Sequence, residues 1–214
     1  MKKKFLAFGL LFPFLIFWYT ISDASNAGFL TGQRIITLQS STAEYRLDDN
    51  LTRAELIGIA LKMKWIRLPD EYVCRDYFVD VSYNPVNNWI CRAVELAVDN
   101  GIISAKNKKA RPQDTATRAE SLAMVLHAAF GDKLDIKNKW YQFSDDTVDW
   151  QQSIFYAGEE FISISWDYSA MNYVYSGRPN MPIFINYFPN TPVTRAEIFD
   201  VLVNVINNIS RVKQ

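Results

Sequence analysis

Three stretches of the chain share a hydrophobic pattern that predicts amphipathic helices. In each stretch, four positions follow one another at steps of three, one and three, which places them on one face of a helix. All but one of these positions are apolar: Ile57, Ala60, Leu61 and Lys64 in the first stretch, Leu122, Val125, Leu126 and Ala129 in the second, and Phe199, Leu202, Val203 and Ile206 in the third. The pattern therefore predicts three helices that each pack through one face.

An identical tetrapeptide precedes each of these stretches. Its sequence is Thr-Arg-Ala-Glu, and it occupies residues 52–55, 117–120 and 194–197. A Thr at the N-cap accepts a hydrogen bond from the backbone N–H three residues later, and a Glu at that later position accepts one from the N-cap N–H. Because this pair is a capping box, Thr and Glu predict where each helix begins and need no functional explanation.

The arginine of each tetrapeptide does need an explanation, because it lies in the first helical turn. The helix dipole favours negative charge there, so a cation costs a few tenths of a kcal/mol. Arg53, Arg118 and Arg195 should therefore each lie near an anion. That anion is either a carboxylate or phosphate of a ligand, or an aspartate from a neighbouring repeat, and the sequence leaves both alternatives open.

A second motif, aromatic-x-Asp, precedes the second and third copies. The second copy has Phe78-Val79-Asp80, then Trp89, Val94, Ala97 and Gly101, and the third has Phe143-Ser144-Asp145, then Trp150, Ile154, Ala157 and Phe161. The last three residues of each set have helical spacing, and a glycine such as Gly101 suits a helix C-cap. The repeating unit is thus a loop, a short helix, a second loop and a capped helix. We assign the first copy only the second half of this unit, because little chain precedes Tyr45.

Together these motifs resemble the S-layer homology module of bacterial envelope proteins, from about Tyr45 to Ile206. The resemblance implies an all-α, pseudo-three-fold bundle of helix-loop-helix repeats with grooves between them. It also implies that the grooves bind an anionic, often pyruvylated, secondary cell-wall polysaccharide and hold an exported protein non-covalently in the cell wall or S-layer. The ligand-binding positions that it implies are Arg53, Arg118, Arg195, Asp80, Asp145, Trp89, Trp150 and Gly101.

Departures from the family pattern keep a second function open. The first copy is a half repeat at about 40–68, and the second is a full repeat at about 74–131. The third is a full repeat at about 140–210 and carries an insert at 163–187 that could form a short hairpin. Phe161 also replaces the glycine of the third copy. The alternative is a structural module that binds S-layer or envelope proteins through degenerate glycan sites. A separate alternative for Trp89 and Trp150 is that they are simply core residues.

The N-terminus has the pattern of a secretory signal peptide. Three lysines precede an apolar run from Phe5 to Tyr19, and small residues follow at Ala24 and Ala27. The run is shorter than the roughly 20 residues of a membrane-spanning helix. We therefore predict a signal at 1–27 and a mature domain at 28–214, with membrane attachment only if the segment is retained. Export favours a disulfide between Cys74 and Cys91 over two buried free thiols.

Composition argues against several other functions. The chain has 23 lysines and arginines in total and 23 aspartates and glutamates. It therefore lacks the excess of basic residues that would indicate nucleic-acid binding. The chain has a single histidine, His127, and two cysteines. Because so few metal-ligating side chains are present, we predict no metal or cofactor site. Acidic clusters at Glu159–Glu160 and at Asp145–Asp149 could suggest a cell-wall hydrolase. They lack a recognisable catalytic motif, so we predict neither an enzyme nor catalytic residues.

Overall fold

The computed structural model describes residues 25–37, 44–81, 88–131, 150–151, 153–154, 157–158 and 188–212. These residues form helices joined by loops, with no strand in the described ranges, so the all-α prediction is confirmed. The helices are α1 (25–32), α2 (Arg53–Met63), α3 (Asn88–Asp99), α4 (Arg118–Phe130) and α5 (Arg195–Val212). The described residues from 150 to 158 are also helical. None of the helices described here is both long enough and apolar enough to cross a membrane.

The three tetrapeptides start α2, α4 and α5, as the capping-box pattern predicts. In α2 and α4 the N-cap residues Thr52 and Thr117 exchange hydrogen bonds with the Glu three residues later. In α5 the N–H of Thr194 donates to Glu197 Oε2 at 3.0 Å, and the N–H of Glu197 donates to Thr194 Oγ1 at 3.3 Å. Each capping box stabilises its helix by about 1 kcal/mol.

The predicted apolar faces form the core. Ile57 of α2, Leu122 of α4 and Leu202 of α5 are each fully buried. Helix α2 packs against both α3 and α4, and α4 packs against α5. Full burial of one such side chain contributes roughly 1.5–3 kcal/mol, so these faces are the main source of stability in the described part of the chain.

The residues just before the three tetrapeptides form a closed ring of backbone hydrogen bonds. The N–H of Leu51 donates to the carbonyl of Val193, that of Val193 to Ala116, and that of Ala116 back to Leu51, at distances between 2.9 and 3.2 Å. The ring thus joins the three tetrapeptide segments through equivalent positions. The pseudo-three-fold arrangement of complete repeats stays a prediction.

Hydrogen bonds at the helix starts also connect the three segments in a cycle, but in the opposite direction. The arginine N–H at the start of each helix donates to a loop carbonyl of the next segment: Arg53 to Asp114, Arg118 to Thr191, and Arg195 to Asp49, each at 2.9 Å. The first N–H groups of a helix have no partner within the helix. Here the neighbouring loop supplies their acceptors, so each helix start depends on the next loop being in place.

The loops before the tetrapeptides share an uncommon backbone conformation. Arg46, Arg111 and Phe188 have φ values of 50°, 54° and 48°, and each lies six residues before the tetrapeptide threonine. Positive φ is rare outside glycine. In each loop the carbonyl of this residue accepts a hydrogen bond from the N–H three residues later. The segments that we predict to be loops are therefore three copies of one turn.

Residues N-terminal to Tyr45 form a helix end that the sequence analysis did not assign to the first copy. The N–H of Ile35 donates to the carbonyl of Leu30 at 3.0 Å, and the N–H of Ile102 donates to the carbonyl of Ala97 at 2.8 Å after α3. The residue preceding each of these isoleucines has positive φ. The end of α1 thus matches the end of α3 in backbone conformation.

Two further features tie α1 to the rest of the fold. Ala27 is completely buried, and the side-chain amide of Asn26 donates to Asp200 of α5 at 2.5 Å. The domain boundary that we predict after residue 27 therefore falls inside a helix that packs into the core.

Arg34, with φ of 60°, occupies the place that Gly101, with φ of 68°, has after α3. The C-cap conformation predicted for Gly101 is thus observed.

Candidate functional site

The three tetrapeptide arginines each form an ion pair with the glutamate of another tetrapeptide. The pairs are Arg53 with Glu120, Arg118 with Glu197, and Arg195 with Glu55. The arginine side chains are 13, 18 and 19 % exposed, respectively. The anion required by the helix-dipole argument is therefore present within the protein, and it is a glutamate, where the sequence analysis considered a ligand or an aspartate.

Each of these glutamates serves two partners through its two oxygens. In the third tetrapeptide, Glu197 Oε2 accepts from the N–H of Thr194 at 3.0 Å, while Oε1 faces Arg118. Arg53 has a further internal partner, because its Nε donates to the carbonyl of Ala110 at 2.9 Å. The arginines thus join neighbouring segments, and the ligand-binding role that the resemblance implies for them stays a prediction.

Three of the predicted site residues lie together in one groove. This groove, which we call the Trp150 groove, has a volume of about 670 Å³ and is lined by Arg53, Gly101 and Trp150, with Glu120 and His127 among its other residues. Trp150 is 48 % exposed. It is therefore a groove residue and does not belong to the core, which was the other alternative for this tryptophan.

Two more predicted site residues lie in a second groove of similar size. This Trp89 groove also has a volume of about 670 Å³, and Trp89, Arg195 and Glu55 are among its lining residues. Trp89 is 38 % exposed. Each groove thus combines one arginine–glutamate pair with one exposed tryptophan that follows an aromatic-x-Asp motif.

The two grooves are built from equivalent positions. Counted from the glutamate of the lining helix, positions three, four and seven face the groove: Ala123, Met124 and His127 in the Trp150 groove, and Gly58, Ile59 and Lys62 in the Trp89 groove. The segment after a preceding helix lines each groove as well: Ile102, Ile103 and Ser104 after α3, and Ile35, Ile36 and Thr37 after α1. The equivalence of the tetrapeptide helices therefore extends to the walls of these two grooves.

Asp80 shapes the wall behind the Trp150 groove. Its carboxylate accepts hydrogen bonds from the N–H groups of Ala110 and Arg111, both at 2.8 Å. Burial opposes ionisation of this carboxyl, yet the two backbone donors prevail and lower the pKa of Asp80. Because the carbonyl of Ala110 accepts from Arg53, Asp80 holds the loop that orients this arginine. Asp80 itself is not among the described residues that line the Trp150 groove.

The remaining predicted positions either are absent from the described lining of these grooves or lie outside the described residues. Arg118 is not among the described residues that line either one. Several predicted features lie outside the described residues: Asp145, Phe143, Phe161, the signal segment up to residue 24 and the 163–187 insert. Of the eight implied ligand-binding positions, the Trp150 groove collects Arg53, Gly101 and Trp150, and the Trp89 groove collects Arg195 and Trp89.

The predicted disulfide is confirmed. Cys74 and Cys91 are bonded, with Cα atoms 6.2 Å apart, within the usual range for a disulfide. Beside it, the carboxylate of Glu95 is almost fully buried and accepts from the hydroxyl of Tyr72 at 2.9 Å and from the N–H of Arg75 at 2.8 Å. These bonds fix the loop before Asp80 to α3. Sequence reasoning missed Glu95, although it lies one helical turn after Cys91.

Among the described residues that line the grooves, His127 has a shifted pKa. Burial, followed by the nearby charge of Lys64, lowers the pKa of His127, so this imidazole is neutral at pH 7. Within the described ranges, no three histidine, cysteine or acidic side chains are grouped so that they could hold a metal ion. The described lining of the grooves combines aromatic surface, hydrogen-bonding groups and charge, a combination found in ligand-binding pockets.

Comparison with known proteins adds one similarity. No family model matches the chain. A stretch of 99 residues, 46 % of the chain, is 31 % identical to part of an amylopullulanase from Thermoanaerobacterium thermosulfurigenes. The chain covers about 5 % of that protein's length. The similarity thus concerns a small part of a much larger protein.

Proposed function

We propose that this protein is exported and anchors itself non-covalently to the bacterial cell envelope by binding a secondary cell-wall polysaccharide in its grooves. The observation that carries the proposal is the occurrence of two equivalent grooves, each with a half-exposed tryptophan beside an arginine–glutamate pair. A disulfide suits an exported protein, because disulfides persist in oxidising compartments.

The physical properties of the grooves suit a sugar chain. Flat aromatic faces such as those of Trp89 and Trp150 pack against the C–H surfaces of pyranose rings, and polar groups beside them bond the hydroxyls. A volume of about 670 Å³ is in the range of small-molecule sites, so each groove would accommodate a short stretch of polymer. The resemblance to the S-layer homology module and the similarity to a stretch of an amylopullulanase both support a polysaccharide-related role.

The test is co-sedimentation of the purified protein with envelope polysaccharide. We expect Trp89→Ala and Trp150→Ala to weaken retention individually and the double variant to abolish it. Trp65→Ala is the matched control, because Trp65 is 79 % exposed and is not among the described residues that line either groove. Full retention of the double variant, or an equal loss in the control, would refute the proposal.

One observation favours a second function, the binding of envelope proteins. All three tetrapeptide arginines are paired with glutamates, which lowers their capacity to bind an anionic glycan. A protein-binding module would be retained by envelope preparations from which the polysaccharide has been removed. The polysaccharide-binding module would be lost from them. Both proposed roles are non-catalytic, and turnover of labelled peptidoglycan or glycan by the purified protein would contradict both.

A further inference from the structure

The Trp89 groove owes one of its walls to the N-terminal segment. Ile35, Ile36 and Thr37 line it, and they follow α1, whose Ala27 and Leu30 are completely buried. Tyr45, seven residues before Thr52, also lines this groove, whereas the equivalent position of the Trp150 groove, seven residues before Thr117, is Ala110. The Trp89 groove is therefore a complete site with an additional aromatic side chain.

The charge of the Trp89 groove exceeds what its internal ion pairs neutralise. Four cationic side chains and one carboxylate line it: Arg46, Lys62, Arg67, Arg195 and Glu55. Glu55 pairs with Arg195, and Arg46 pairs with Asp49 outside the lining. Lys62 and Arg67 are exposed, and no carboxylate of the described residues forms a salt bridge with either. Two positive charges thus face the groove without a described counter-charge.

The Trp150 groove differs at the same positions. His127 occupies the place of Lys62, and burial keeps this imidazole neutral by lowering its pKa. The other cation besides Arg53 is Lys109, which lies close enough to Asp80 to help lower the pKa of that carboxyl. Since Arg53 is paired with Glu120, this groove carries little net charge.

We propose that the Trp89 groove is the anion-selective site of the protein, in which Lys62 and Arg67 bind an acidic group of the glycan while Trp89 and Tyr45 contact its sugar rings. The Trp150 groove then accommodates uncharged sugars of the same polymer. A guanidinium forks onto a carboxylate or phosphate, and an ammonium adds a point charge. This inference rests on the proposed function, because it assigns the acidic part of that ligand to one groove.

The test uses the full chain and three forms of one probe: acidic envelope polysaccharide as purified, after carboxyl reduction, and after dephosphorylation. We expect Lys62→Gln with Arg67→Gln to weaken binding of the untreated polymer at least about tenfold, since hydrogen bonds to charged groups are among the strong ones. The control Lys109→Gln removes one charge from the other groove and should change affinity less than about twofold. Thermal unfolding checks that both proteins are folded.

The polymer treatments identify the acidic group and separate the possible failures. Loss of affinity after carboxyl reduction would support the inference with a carboxylate as the ligand group, and loss after dephosphorylation would support it with a phosphate. Equal affinity for all three forms, or no effect of the double substitution, would overturn the inference while Trp89→Ala still tests the proposed function. Failure of the unmodified protein to bind any form would overturn both.

Discussion

The ion pair between Arg118 and Glu197 makes a measurable contribution to stability if the three segments are joined as the structure shows. Arg118→Ala removes a guanidinium that is 18 % exposed from a carboxylate that is 26 % exposed. Exposed ion pairs contribute about 0.2–1 kcal/mol, and removing one partner of a buried pair costs about 3–5 kcal/mol. The partial burial of this pair places it between the two ranges.

The second role of Glu197 reduces the cost of losing its partner. The carboxylate still accepts from the N–H of Thr194 at 3.0 Å, so it is not left without hydrogen bonds in the variant. We therefore expect Arg118→Ala to destabilise the fold by about 1–2 kcal/mol, a decrease of roughly 2–8 °C in Tm for a domain of this size. Thr117→Ala is a useful reference, because loss of an N-cap costs about 1 kcal/mol.

The measurement is a double-mutant cycle by urea unfolding. The proteins are the unmodified chain, Arg118→Ala, Glu197→Gln and the double variant. Residues in contact usually show coupling energies of about 0.5–3 kcal/mol, and we expect about 1 kcal/mol here. A coupling energy below about 0.3 kcal/mol would show that the two side chains contribute independently. The explanation of the arginine as a connector between segments would then be wrong.

Three further predictions concern other parts of the chain. Replacing Cys74 and Cys91 by serine should lower the unfolding free energy by about 3 kcal/mol in the chain-entropy model, and thiol labelling of the non-reduced protein should find neither cysteine free. Asp80→Asn should be less stable than the unmodified chain at pH 7, and the difference should disappear as the pH falls through the lowered pKa of Asp80. The reason is that a carboxyl group whose pKa is lowered by folding stabilises the fold at pH values above its pKa in the unfolded chain, near 3.9. Equal pH profiles of the two proteins in urea unfolding would contradict this. Intact-mass analysis of the exported protein should place its first residue no later than Ala27, since a cut after Ala27 removes a buried part of α1. A mature chain that starts at residue 28 would show that the first turn of α1 is dispensable.

The helices and their starts could be predicted because their signals are local. A capping box involves residues three apart, and the apolar face is read from spacings of three and four. The partner of Arg53 could not be predicted in the same way. Glu120 had already been assigned to its own capping box, and the sequence does not reveal that its second oxygen faces another segment.

The N-terminal wall of the Trp89 groove was missed for a different reason. Arg34 stands where the second copy has Gly101, so the motif lacks its most recognisable residue although the backbone conformation is the same. The spacing from Leu30 to Ile35 equals that from Ala97 to Ile102 and would have been a usable signal. The predicted boundary after residue 27 removed the beginning of this segment from consideration.

The closed hydrogen-bond ring of Leu51, Ala116 and Val193 limits how such a chain can evolve. Open arrays of repeats grow or shrink by whole units, since each unit contacts only its neighbours. A ring in which the last segment bonds back to the first leaves no free end for a fourth. Duplication of a unit would therefore have to break the ring or fold separately, and longer versions of this architecture should arise by adding complete triplets.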